Sequence, residues 1–196
     1  MSLPHALLTA LIEHPCSGAE LAERFDRSIG HFWHATHQQI YRELNRLEAQ
    51  GLVKSTPMLG SRGRKRSYEV LPQGRSELQR WTLEQEDPKP LRDALMVRLR
   101  ADAAVGPCGL EEEMRRRLQW HEAKLALYQQ IAVTDFGRQK RLGRAGQLRS
   151  LVLEAGIQQE QVWIDVVRKA LDLLSSPADS SPVRRGVHPT RSADEK

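Results

Sequence analysis

Residues 31–75 carry eight lysines and arginines (Arg42, Arg46, Lys54, Arg62, Arg64, Lys65, Arg66, Arg75) against three acids (Glu43, Glu48, Glu69). That surplus of five equals the net charge of the whole 196-residue chain, which has 30 basic and 25 acidic side chains. Cations gathered in this way neutralise phosphates and release counterions. The polar side chains beside them, Thr36, His37, Gln38 and Tyr41, are of the types that hydrogen-bond base edges. Arg42 and Arg46 extend this first group toward phosphates. Ser61, Arg62, Arg64, Lys65 and Arg66 form a second group. Two separate groups read one duplex only if the fold sets them side by side.

The elements around them do so. Leu3, Leu7, Leu8, Leu11 and Ile12 share one helix face, and Pro15 ends that helix. Ser17 with Glu20 three residues later is a capping box. It opens a helix through Leu21, Ala22 and Phe25, with Gly30 as its stop. Thr36 caps a third helix with an apolar face of Ile40, Leu44 and Leu47. Gly51 is the left-handed residue that closes it. Residues 52–58 and 66–71 read as the strands of a hairpin with a basic turn at Gly60–Gly63. Pro72 suits the first turn of a fourth helix carrying Leu78, Trp81 and Leu83, expected to end near Asp87. Pro88 and Pro90 mark a joint. Three short helices followed by a basic hairpin make a winged helix-turn-helix. Its third helix fits the major groove, and its wing lies along the backbone or in the minor groove.

Beyond the joint the pattern is helical. Leu91, Leu95, Met96 and Leu99 form one amphipathic segment, broken by Gly106-Pro107. Leu110, Met114, Leu118, His121, Leu125 and Tyr128 lie three or four apart along a helix of residues 109–133, close to a heptad seam. A last helix over 145–174 carries Leu148, Leu151, Val152, Ala155, Val162, Val166, Ala170 and Leu173, with Trp163 and Val167 widening the stripe. These seams pair within the chain or with a second copy. Leu110, Met114, Leu118, Leu125, Leu148, Leu151, Val152, Val162 and Val166 are the expected dimer contacts. Trp120, Tyr128 and Trp163 suit either the wall of a pocket for a small aromatic effector or plain packing, and packing is the simpler reading. Residues 175–196 hold five serines, three prolines and no phenylalanine, tryptophan or tyrosine, the composition of a disordered, solvated tail.

Other chemistries fit poorly. Cys16 and Cys108 form no CxxC pair, which excludes a disulfide framework and suits a reducing cytoplasm. Cys108 beside Gly106-Pro107 reads as an ordinary thiol rather than a redox sensor. His31, His34 and His37 near Cys16 drift round a helix, so no metal is expected, nor any cofactor. Gly60-Ser-Arg-Gly63-Arg-Lys lacks phosphate-loop spacing and Ser61 has no base partner, so no enzyme is expected. No apolar run approaches the roughly 18 residues of a membrane span. The first residues lack a basic n-region, so neither a signal peptide nor a membrane partner is expected. Hydrophobic residues make up 39 % of the chain and the mean hydropathy is −0.57. So lean a core suggests that a partner subunit completes the burial.

Several motifs also resemble the PadR family of bacterial transcriptional regulators. They are Ser17-Gly-Ala-Glu-Leu-Ala22, Gly30-His-Phe-Trp33, the stretch Thr36-His-Gln-Gln-Ile-Tyr-Arg-Glu-Leu-Asn-Arg-Leu-Glu48 with Gly51-Leu-Val53, and Arg66-Ser-Tyr68 through Leu71-Pro-Gln-Gly74. They cover about residues 1–80. The helical remainder resembles the longer dimerisation domain of the AphA-like branch. The resemblance implies a homodimer on a near-palindromic operator, usually as a repressor. It places DNA contacts at Thr36, His37, Gln38, Tyr41 and Arg42, assisted by the wing around Ser61 to Arg66. Where the family usually has threonine after the second wing strand, this chain has Pro72, which changes a cap and not the topology. No motif identifies an effector.

The expectation is therefore a mainly α chain. Residues 1–87 form a DNA-binding winged helix-turn-helix, 91–174 a helical dimerisation domain and 175–196 a tail. Double-stranded DNA and a second copy are its partners. The alternatives are a helical adaptor that uses its C-terminal seams to bind protein, or an activator with the same DNA-binding mode.

Overall fold

The computed structural model describes residues 3–27, 35–58, 65–88, 90–137 and 142–176. The chain separates into two compact units, Met1–Leu91 and Arg92–Lys196.

The first unit holds helices α1 (Leu3–Glu13), α2 (Gly18–Arg27), α3 (His37–Ala49) and α4 (Pro72–Thr82), with strands β1 (Cys16–Ser17), β2 (Val53–Pro57) and β3 (Arg66–Val70). The strands form one antiparallel sheet in the order β1-β3-β2. β2 pairs along β3 from Val53↔Val70 to Pro57↔Arg66, which is the expected hairpin. β1 was not expected. Its two residues, Cys16 and Ser17, pair with Tyr68 and Ser67, and so short a strand has no periodicity to read.

Each helix presents one apolar face to a common core. Leu7, Leu8 and Leu11 of α1, Leu21 and Phe25 of α2, and Ile40, Leu44 and Leu47 of α3 are all buried there with Val53, Tyr68 and Val70. A fully buried leucine or isoleucine contributes about 2 kcal/mol, so these spacings determine how the helices meet. The caps fix where they begin and end. Ser17 Oγ accepts from the Glu20 N–H at 3.3 Å, and Glu20 Oε2 accepts from the Ser17 N–H at 3.0 Å. Gly51, at φ +70°, closes α3. Its N–H reaches the Glu48 carbonyl and the Leu52 N–H reaches the Leu47 carbonyl, both at 2.9 Å, which satisfies two orphan acceptors. Pro72 begins α4 without a side-chain cap.

α4 ends at Thr82, earlier than expected, and Leu83 is exposed. The acids Glu84, Glu86 and Asp87 follow, and negative charge opposes the dipole at a helix C-terminus. Across the first unit, the His5 ring of α1 stacks on Trp81 at 4.4 Å between centroids and bonds Glu77 at 3.2 Å.

The second unit is α5 (Ala94–Val105), α6 (Glu111–Ile131) continuing as a π-helical turn (Ala132–Phe136), and α7 (Arg144–Ser175). Asp93 Oδ1 caps α5 through the Leu95 N–H at 2.7 Å. The helix therefore starts after Leu91, which is exposed and not part of the apolar face expected for it. Leu95, Met114, Val167 and Ala170 form the buried core, with Met96, Leu99, Leu110, Leu118, Trp163, Leu171 and Leu174 against it.

Met114, with Leu110 and Leu118 beside it, belongs to the core of its own chain, and Leu125 is half-buried. Of the four, Met114 is the one that is fully buried. α7 in turn carries two apolar stripes. The one turned to α6 includes Gly156 under Tyr128, Glu160, Val167 and Ala170. The stripe read from the sequence is mainly the other one. Leu148, Leu151, Val152, Val162 and Leu173 are exposed, and Val166 is half-buried. A charged residue interrupts an apolar stripe on paper, so the face containing Glu160 was passed over.

Candidate nucleic-acid interface

α3 begins on a two-way cap. Thr36 Oγ1 accepts from the Gln39 N–H at 3.2 Å, and Gln39 Oε1 accepts from the Thr36 N–H at 2.8 Å. The Thr36 hydroxyl thus serves the helix end. His37, Gln38, Tyr41, Arg42, Asn45 and Arg46 are exposed on α3, opposite Ile40, Leu44 and Leu47. Gln38, Tyr41, Arg42 and Asn45 stand at i, i+3, i+4 and i+7, which is one face. Asn45 was missed by the sequence reading although its spacing announces it. Arg42 is in no ion pair among the described residues. Arg46 sits 3.7 Å from Glu43 on the neighbouring face.

The root of the wing is fastened to α3 by Glu48. Its Oε1 accepts from the Ser55 N–H at 3.0 Å and from the Ser55 hydroxyl. Arg66 Nε donates to Ser55 Oγ at 2.6 Å, and its Nη2 lies 3.6 Å from Glu48. The Ser55 hydroxyl is the main reason the Glu48 carboxyl is held below the usual range, with the Ser55 N–H and Arg66 adding to it against the cost of desolvation. Lys65 pairs with Glu20 at 3.2 Å. The Glu20 carboxyl is lowered to about 2, first by the Ser17 N–H, then by the Ser17 side chain and Lys65. Arg66 and Lys65 therefore tie the wing to α3 and to the start of α2. Nothing in the local sequence around Glu48 or Glu20 reveals these partners, because they meet only through strand register. Ser61, Arg62 and Arg64 lie outside the described residues, as do His31 and His34.

In the second unit, His121 Nδ1 lies 2.6 Å from Glu160 Oε2, and Lys124 Nζ lies 2.7 Å from Glu160 Oε1. The Lys124 ammonium also stands 4.9 Å from the Trp120 ring centre and 5.5 Å from that of Tyr128. The His121 ring stacks on Trp163 at 5.9 Å. Burial works against the Lys124 charge, yet Glu160 and Tyr128 raise its pKa. Trp120, Tyr128 and Trp163 thus surround a histidine and a lysine of the same chain. Trp120 is exposed while Tyr128 is buried. No described helix is long and apolar enough to cross a membrane.

Two families match along the chain. "Transcriptional regulator PadR-like family" covers residues 7–80 and "Virulence activator alpha C-term" covers 91–175. A probable transcriptional regulator of Mycobacterium tuberculosis is 37 % identical over 185 residues, 87 % of this chain and 98 % of its own. Bacillus subtilis PadR, a negative transcriptional regulator, is 28 % identical over 126 residues, 63 % of this chain and 69 % of its own. Its structure with operator DNA superposes with a TM-score of 0.76 at 21 % identity, over 88 % of this chain and 98 % of that one. A further structure of the same protein contains p-coumaric acid. The Vibrio cholerae virulence activator AphA has a TM-score of 0.72 at 29 % identity, over 88 % of this chain and 98 % of its own. With a capped helix whose polar face is open, the root of a wing locked beside it and these relatives along almost the whole chain, the protein belongs to the PadR-like family of DNA-binding transcriptional regulators.

Proposed function

We propose that the protein is a homodimeric repressor that reads a near-palindromic operator through α3. The observation that carries this is the open face of Gln38, Tyr41, Arg42 and Asn45, on a helix held by its cap and by the Glu48–Ser55 link. Gln38 and Asn45 carry the amide donors and acceptors that suit adenine, and Arg42 suits guanine or phosphate. His37 and Tyr41 add polar contacts at the groove. Arg46, Lys65, Arg66 and the wing residues Ser61, Arg62 and Arg64 contact the backbone. Residues 1–87 bind DNA, 91–174 join two copies, and 175–196 form a solvated tail.

The exposed α7 stripe of Leu148, Leu151, Val152 and Val162 is the surface that a second copy covers. An apolar line of that length is seldom left in water on a soluble chain. Two-fold symmetry in the protein then matches two half-sites about one helical turn, or a multiple, apart. The B. subtilis relative's name supports repression, and AphA's supports activation with the same binding mode. A small aromatic effector that releases the DNA fits the same scheme. The reaction is binding rather than catalysis, and its place is the cytoplasm.

Two substitutions test the interface. Gln38→Ala is expected to relax base preference at one position of each half-site. Arg42→Ala is expected to weaken all DNA and to reduce the log–log salt slope by about 0.9 for each half-site. If both variants bind like the wild type, the interface lies elsewhere. Leu151→Asp with Val162→Asp is expected to yield a monomer on sedimentation, and a stable dimer would remove α7 from the interface.

A further inference from the structure

Gly18 is buried at the first position of α2 although its neighbours Ala19 and Glu20 are exposed. Among the described residues the left-handed glycines are Gly51, Gly106 and Gly109, and Gly18 is not one of them. Conformation therefore does not require glycine here. Space does. A Cβ at position 18 would stand 2.6 Å from Tyr41 Cε1, 3.3 Å from Cζ and 3.4 Å from Cδ1. The Tyr41 ring occupies the place where a side chain would begin. That seat is itself firm, because the Ser17–Glu20 capping box and the Glu20–Lys65 pair fix the first turn of α2. Tyr41 remains 41 % exposed on the open face of α3.

We infer that Gly18 is a positioning residue for DNA recognition, holding the Tyr41 phenol in the rotamer that meets the duplex. This rests on the reading of Tyr41 as a DNA contact. Tyrosine at the fifth residue of α3 has a long lever, and a free rotamer would cost conformational entropy on every binding event. Seating its ring against backbone removes that cost before DNA arrives. The obstruction to a methyl group at position 18 is a side chain that can swing, so Gly18→Ala keeps the fold and lets the ring go.

The test is a double-mutant cycle on Gly18→Ala and Tyr41→Ala, with Tyr41→Phe as a third variant. The probe is a duplex selected from a random-sequence library with the full-length wild-type protein. Affinity is read by anisotropy and folding by thermal unfolding. Gly18→Ala is expected to weaken binding about tenfold when Tyr41 is present and not at all in the Tyr41→Ala background. Wild-type affinity for Gly18→Ala, or an equal loss in both backgrounds, overturns the inference. If Tyr41→Ala and Tyr41→Phe both bind like the wild type, Tyr41 is not a DNA contact, and the inference falls with that reading. If Gly18→Ala alone fails to fold, the double variant decides. A folded double variant with the affinity of Tyr41→Ala supports the seat, and an unfolded one overturns it.

Discussion

His121 Nδ1 on α6 lies 2.6 Å from Glu160 Oε2 on α7, with both side chains buried. Lys124 closes the other carboxylate oxygen at 2.7 Å. A buried ionic group between two helices fixes which of their residues stand opposite, since any slip leaves a charge unpaired. Removing the carboxylate strands Lys124 and His121. Glu160→Ala is expected to destabilise the second unit by about 3 kcal/mol, measured by urea unfolding. A loss below about 1 kcal/mol would mean that water reaches the cluster.

Gly74 gives the opposite outcome to Gly18. A Cβ there would run into the Leu52 carbonyl oxygen and come within 2.8 Å of Val70 Cγ1. That carbonyl is held by the Leu71 N–H at 2.9 Å, so backbone must move. Gly74→Ala is expected to cost about 2 kcal/mol, seen as a lower thermal midpoint. An unchanged midpoint would show that α4 can lift from the sheet freely.

The carboxyls of Glu20, Glu77 and Glu113 are each lowered to about 2. The Ser17 N–H is the main cause for Glu20, Arg80 for Glu77 and Arg116 for Glu113. A carboxyl with a depressed folded pKa contributes stability that is complete above its unfolded value near 4.3 and is lost as pH falls toward 2. Stability is therefore expected to fall with acidification from about pH 4.5 to 2. Glu20→Gln is expected to flatten that limb. An acid limb identical to wild type would show that the Glu20 contacts do not persist in solution.

Ser55→Ala removes both the hydroxyl that Glu48 accepts and the acceptor of Arg66 Nε. A cost of about 1–2 kcal/mol is expected. Its signature is faster amide exchange along β2 and β3 than along α1. Uniform exchange would mean that the wing root is not held by this link.

The first unit was readable because its signals are local. Ser17 with Glu20, Thr36 ahead of α3 and Gly51 behind it declare helix ends in short stretches, and Ile40, Leu44 and Leu47 declare a face. β1 escaped because a two-residue strand exists only through its pairing with Tyr68 and Ser67. α4 was read too long because Leu83 looks like another turn of its apolar face. α7 was half-legible. An apolar stripe shows that a helix is covered, yet not by what, and α6 took the face carrying Glu160. At the interface the exposed polar residues of α3 could be picked by spacing. The duties of Lys65 and Arg66 toward Glu20 and Glu48 could not, because they depend on which strands lie together.

The most direct measurement of the central claim is anisotropy of labelled DNA from upstream of the protein's own gene. It is read at two salt concentrations against a scrambled competitor. The account predicts tight binding that survives the competitor and weakens steeply with salt, as several phosphate contacts per half-site require. Weak binding, equal for both DNAs and indifferent to salt, would contradict it.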